Sequence, residues 1–377
     1  MTTRSAYRAL VCSTLALIVG ALPLISLSCA AKPKNYARPM ARDATPRPAA
    51  ASKPPRNAPA SGNGAGTDWS SAVARTQVRE KAINVLATAA TESSPEQRAN
   101  ALEGLALVPT RLEPALRAAL ADESPAVRAV AATLVGQRQL ASSASFVVPL
   151  VNDPVVFVRA SALFALRRCG QDIDITPFAA FLEDPSPKVR AHAAYLLGEL
   201  GDSSALGMLR EAAADPMPRA AAAEVRVMQI QFAEARVKLG DESAIDECRA
   251  ALFPARNEDL EATAIAAQIA GEIKDHASTN QLINLTALRD GGGNMMPPEI
   301  RLAAAGSLAS LGLPKGAFIA REYAASSTPA LRAQAAYVFG KTAQPENLSD
   351  LDVLLNDDQG LVRIAAAAAI LRVTAVP

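Results

Sequence analysis

Histidine, cysteine and aromatic side chains are scarce in this chain, and each shortage removes a class of function. Two histidines, His192 and His276, lie 84 residues apart with no glutamate after either. They offer neither a His-Glu-x-x-His zinc helix nor the spacing of a structural zinc site. The four cysteines are Cys12, Cys29, Cys169 and Cys248, with no Cys-x-x-Cys-His to hold a haem. Aromatic residues make up only 4% of a chain that is half apolar. No long run alternates apolar and polar residues with period 2, which argues against a β-rich core. No glycine-rich loop is followed by a Lys-Ser or Lys-Thr pair, so no phosphate loop is expected. No pair of carboxylates is placed for acid–base work, and the chain reads as non-enzymatic, without cofactor or metal. What the chain has instead is alanine, leucine and valine, a composition suited to closely packed helices.

The first 31 residues read as an export signal. Arg4 and Arg8 precede an uncharged, mostly apolar run from Ala9 to Leu27, and small residues follow it. The run is long enough that a retained membrane anchor stays open beside cleavage. Ile25-Ser26-Leu27-Ser28-Cys29 resembles a bacterial lipoprotein signal, which implies a lipid on Cys29. Ser26 departs from the leucine usual at its position, and cleavage after Ala30 or Ala31 is the alternative. Residues 32–69 are rich in proline and alanine and are expected to form an unstructured tether. Residues 1–57 hold nine Lys or Arg and one acid, which leaves residues 58–377 with a net charge of −7. An acidic body is a poor nucleic-acid binder, whereas the basic tether suits an anionic membrane surface.

From about residue 70 onward one register repeats. Ser124-Pro125-Ala126-Val127-Arg128, Ser186-Pro187-Lys188-Val189-Arg190 and Thr328-Pro329-Ala330-Leu331-Arg332 share it. The Ser or Thr caps a helix, and the proline sits in its first turn, where a missing N–H has no cost. Apolar residues at +3, +4, +6 and +7 from the arginine then form one buried face. A second short apolar segment separates these helices, so each period encodes a helical hairpin that must stack on its neighbours. The arginine position recurs at 98, 128, 159, 190, 229, 263, 301, 332 and 363, with Gln229 and Thr263 as replacements, giving nine hairpins over residues 70–377. Extra length falls before Gln229 and before Arg301. The latter insertion, residues 291–298, is expected to project as a loop that either displays Met295 and Met296 or tucks them back.

Acids stand six residues before the arginines, as Asp122–Arg128, Asp153–Arg159, Asp184–Arg190 and Asp357–Arg363. Together with the period, this resembles the HEAT repeat, in the short form of phycobilin-lyase-like and bacterial scaffold proteins. The resemblance implies an all-α, right-handed α/α superhelix in which these Asp and Arg residues bond along the stack. It also implies that the second helices line a concave face. Positions +2 and +5 then present Phe164, His192, Tyr195, Gln268 and Tyr337 as candidate partner-binding residues, or as side chains lying over the seams between repeats. Cys169 and Cys248 fall about two hairpins apart and are expected to stay unpaired. The expected role is a non-catalytic protein-binding scaffold of the bacterial cell envelope, anchored or secreted. A bilin lyase-like protein or lyase accessory and a purely structural envelope part are the alternatives.

Overall fold

The computed structural model describes residues 67–375 apart from 255–258 and 290–292; the side chain of Glu92 is also outside the description. The signal segment, Cys29 and most of the tether therefore lie outside the described residues. Among these residues the chain forms nine helical hairpins. Their outer helices are α1 (Ala72–Glu92), α3 (Pro109–Ala119), α5 (Ala144–Val147), α7 (Pro177–Leu182), α9 (Leu206–Ala213), α11 (Ile245–Ala250), α13 (Thr279–Leu285), α15 (Ala317–Tyr323) and α17 (Leu348–Leu355). The inner helices are α2 (Pro95–Leu105), α4 (Pro125–Gln137), α6 (Val156–Arg168), α8 (Pro187–Leu200), α10 (Ala222–Lys238), α12 (Leu260–Glu272), α14 (Pro298–Ser310), α16 (Pro329–Thr342) and α18 (Gly360–Val373).

The Ser/Thr-Pro signals open α2, α4, α8 and α16, each with its proline in the first turn. Extra residues before Gln229 are absorbed partly by α10, which is 17 residues long where its regular neighbours have 13 or 14. In the second insertion Arg289 and Met295 form an isolated antiparallel bridge. Met295 is exposed, whereas Met296 packs against the core of hairpins five to seven. Cys169 and Cys248 are free thiols in the third and sixth hairpins.

The Asp–Arg ladder is present with a finer wiring than the six-residue spacing suggests. Each arginine reaches back to a main-chain carbonyl of its own turn: Arg128 to Asp122, Arg159 to Asp153 and Arg363 to Asp357, at 2.7–2.8 Å. The Asp carboxylates point elsewhere. Asp122, Asp153 and Asp357 each receive two hydrogen bonds from the arginine of the preceding hairpin, namely Arg98, Arg128 and Arg332. The same carboxylates accept the main-chain N–H two residues on, which shapes the turn before the next inner helix. Arg190 bonds to the Asp184 carbonyl and forward to the Asp215 carboxylate. Asp184 accepts from the Ser186 N–H, and Arg159 lies over the Phe181 ring.

The stack also closes on itself. Consecutive inner helices pack side by side around the molecule, and the last, α18, packs against both α1 and α2. One apolar core runs across this seam, joining Val78, Leu86 and Leu105 to Val362, Ala366 and Ile370. Arg79 donates to the Leu371 carbonyl and the Thr374 hydroxyl, capping the end of α18, and Lys81 donates to Asn356 beside Asp352. The superhelix is therefore a ring.

Glycines set how closely its inner helices approach. A Cβ on Gly136 would lie 2.8 Å from the Ala165 Cα; the equivalent distance is 2.9 Å for Gly198 to Ala235, Gly271 to Ser307 and Gly340 to Ala369. All four glycines stand eight residues after the repeat arginine position, and each faces position +6 of the next hairpin. The chain needs glycine here for close approach of backbones, since none of the four has a positive φ.

Candidate functional site

Closure turns the expected concave face into the interior of the ring, and this changes the standing of the residues on it. Phe164, His192 and Tyr195 are at most 5% exposed, so they do not form an open patch for a partner. Gln268 and Tyr337 lie on the same face and are half-buried. The physical reason is the tight approach of neighbouring inner helices: Phe164 lies over Gly136 of α4, His192 lies against Phe157 and Ser161 of α6, and Tyr195 meets Gln137, so these side chains cover the seams between hairpins.

The interior is polar as well as buried. The Thr133 hydroxyl donates to Ser161 at 3.0 Å, and Ser161 lies 3.0 Å from Nε2 of His192, so α4, α6 and α8 share one line of polar contacts. His192 packs its ring against Phe157, and burial lowers its pKa to about 4 despite the opposing influence of the Phe157 carbonyl. It is a neutral imidazole at physiological pH. Gln137 donates to the Tyr195 hydroxyl at 2.8 Å, reaching past α6. Next in the same column, Gln231 is 1% exposed with an unbonded amide oxygen, and the Gln334 amide oxygen is likewise without a hydrogen bond.

One helical turn further, position +9 carries Gln137, Arg168, Glu199, Lys238, Glu272, Lys341 and Arg372. These residues gather where the glycines bring the helices together. Lys238 lies 2.7 Å from Glu199 and 2.6 Å from buried Glu234, with its ammonium over the Tyr195 ring. Burial works against that ammonium, but Glu234 and Glu199 outweigh it and raise the lysine's pKa above its ordinary value. Burial also raises the carboxyl pKa of Glu103, opposed by Arg372, and that of Glu272, opposed by Lys341. Lys341 and Arg372 both lie over Tyr337, 5.5 Å from its ring centre. Glu103 and Glu234 of this cluster stand at +5, and extending the offset by one turn to +9 finds Glu199, Lys238, Glu272, Lys341 and Arg372.

A second concave feature lies outside the ring, along the seam. It is a groove of about 930 Å³ between the exposed side of α1 and the first turns of α2 and α18. Val73, Val85 and Ile364 supply apolar floor, Gln77, Asn84 and Gln97 supply amides, and Glu80, Lys81 and Arg363 supply charges. Among the described residues no three metal-ligating side chains come together.

Residues 77–167 and 175–228 match the family described as HEAT repeats, so these two stretches carry HEAT repeats, and the same register continues beyond them to Arg363. No curated protein matches the chain. Among solved structures it is similar to human deoxyhypusine hydroxylase in complex with glycerol, at 17% identity over 79% of this chain and 98% of that one, with a TM-score of 0.34. It is similar to a Kap121p mutant at 12% identity, over 76% of this chain and 37% of that one, with a TM-score of 0.32. An engineered protein matches at 14% identity over 68% of this chain and 94% of that one, with a TM-score of 0.23.

Proposed function

We propose that this protein is a non-catalytic scaffold of the bacterial cell envelope that holds another polypeptide on the outside of its ring. The observation that carries the reading is the seam groove: a concave surface with apolar floor, amides for the peptide groups of an extended segment, and charges of both signs from Glu80, Lys81 and Arg363. The interior is a poorer place for a partner, because Phe164, His192 and Tyr195 are enclosed. The envelope location rests on the charged, apolar and small-residue order of residues 1–31, and anchoring on Cys29 as a lipid acceptor.

Photo-crosslinking groups placed at Asn84, Thr88 and Phe318 of the full chain, in its own cell, test the binding surface. A discrete adduct is expected from the two groove positions, absent from Phe318 and reduced by Val85→Asp. Equal adducts at all three positions, or none in the groove, reject the groove. Palmitate labelling with cell fractionation tests location separately: label lost in Cys29→Ser supports the lipid anchor, and cytosolic recovery rejects the envelope.

A further inference from the structure

The seam groove begins where the described chain begins. Its lining follows one stripe of α1, through Val73, Gln77, Glu80, Asn84 and Thr88, from the first turn of that helix to its last. From Ala72 to Ala89 the stripe is about 26 Å long at 1.5 Å per residue. Residues 1–66 join the described chain at Thr67, just ahead of this end of the groove.

Charge in the groove is unevenly met. Lys81 donates to Asn356 and lies 3.6 Å from Asp352, and Arg363 donates to the carbonyls of Asp357 and Asp358. Glu80 is exposed and has no hydrogen bond or ion pair among the described residues. The side-chain amides of Gln77 and Asn84 are exposed beside it. The groove therefore offers amide donors, an apolar floor and one unmet negative charge.

Residues 46–59 of the tether carry the matching chemistry. Five of these residues are proline, so the segment has few N–H donors and many carbonyls to accept from the groove's amides. Its only charges are Arg47, Lys53 and Arg56. In a polyproline helix of three residues per turn these three share one edge, because their positions differ by multiples of three. The other two edges carry proline, alanine and single Ser and Asn residues. At about 3.1 Å per residue, eight or nine residues span the groove. Gly62-Asn63-Gly64 stands between the segment and α1, and these residue types favour the chain reversal that would lay one along the other.

We propose that residues 46–59 of the chain itself dock along the groove as an extended strap. Their two uncharged edges cover Val73, Val85 and Ile364, and their basic edge meets Glu80. A partner then reaches the groove only by displacing the strap, and this regulatory role, unlike the docking, rests on the partner-binding reading proposed above.

A photo-crosslinking group at Asn84 of the purified full chain, with no partner present, tests the strap. An intrachain adduct mapped by mass spectrometry to residues 46–59 is expected. Its yield should fall about tenfold in the Lys53→Glu, Arg56→Glu variant, and the same group at exposed Phe318 should give none. No adduct from Asn84, equal yield from Phe318, bridges between two chains, or a yield unchanged by the substitutions each overturn the strap. A labelled peptide of residues 44–60 gives an independent arm. It is expected to bind the Lys53→Glu, Arg56→Glu protein about tenfold more tightly than the unaltered chain, whose groove is filled at the high effective concentration of a tethered segment. Equal affinity for the two proteins, or binding to neither, overturns the strap. An intrachain adduct stays at the mass of one chain, which separates it from a partner adduct formed in the cell. Loss of the first alone rejects the strap, and loss of the second alone rejects the partner.

Discussion

At the scale of the residue, one arginine serves two turns. Arg128 ties its own turn by a main-chain carbonyl and the next hairpin by a carboxylate, with 15% of its side chain exposed and 5% of Asp153. Asp153→Ala leaves that guanidinium enclosed without its counter-charge, and a loss of about 3 kcal/mol is expected in chemical denaturation. Arg128→Lys should lose most of the same stability, because an ammonium cannot span a carboxylate and a carbonyl as the planar fork does. His192 adds a pH dependence. Its folded pKa is depressed, from an ordinary 6.5 to about 4, so its neutral form contributes stability that is complete above pH 6.5. That contribution is lost as pH falls towards 4, on the order of 3 kcal/mol across the window. His192→Asn should flatten this part of the stability profile, measured by urea unfolding between pH 7.5 and 4. Glu103 has the opposite sign. Its raised pKa makes the protonated form the favoured one, present below the ordinary carboxylate value and lost as pH rises through the folded value. Glu103→Gln is therefore expected to stabilise the protein at neutral pH.

At the scale of the element, glycines with no positive φ divide into two kinds. Gly198 faces the Ala235 backbone, and a methyl group there forces α8 and α10 apart. Gly198→Ala is expected to cost about 1–3 kcal/mol through overpacking. Gly207, within α9, has nothing within 4 Å of a built Cβ. Gly207→Ala should stabilise by up to about 1 kcal/mol through helix propensity. Thermal melts of the two variants check both signs at once. In the sequence the two glycines look alike, and only the distance to the neighbouring backbone separates them.

At the scale of the whole molecule, closure changes how stability is distributed. In an open stack the terminal hairpins fray, and loss of one affects mainly its neighbour. Here α18 covers α1 and α2, so removing residues 344–377 uncovers Val78, Leu86 and Leu105 at the far end of the chain. That truncation is expected to destabilise the first hairpin as well as the eighth. The lone tryptophan, Trp69, packs against the shared core and reports the change. Its fluorescence should show partial exposure in the truncated protein before denaturant is added; an unchanged emission maximum would mean that the ring closure contributes little.

The repeat was legible residue by residue because its causes are local. A proline in the first turn, an arginine and an apolar face act within one hairpin, and nine such registers appear as nine hairpins; the expected side-chain cap is made by Ser94 but not by Ser124, Ser186 or Thr328. The direction of the carboxylate bonds was less legible: a six-residue spacing places Asp and Arg in one turn, but cannot say which neighbouring hairpin each side chain faces. Tertiary structure alone decided closure. Curvature accumulates from small rotations at each junction, and whether the ninth hairpin reaches the first depends on their sum, set partly by four glycine contacts. The close approach of neighbouring inner helices, likewise set by the tertiary structure, put Phe164, His192 and Tyr195 over the seams between hairpins instead of on an open binding face. The physical reason is one of range: caps and faces act over a few residues, whereas closure couples residue 79 to residue 371 through every junction between them.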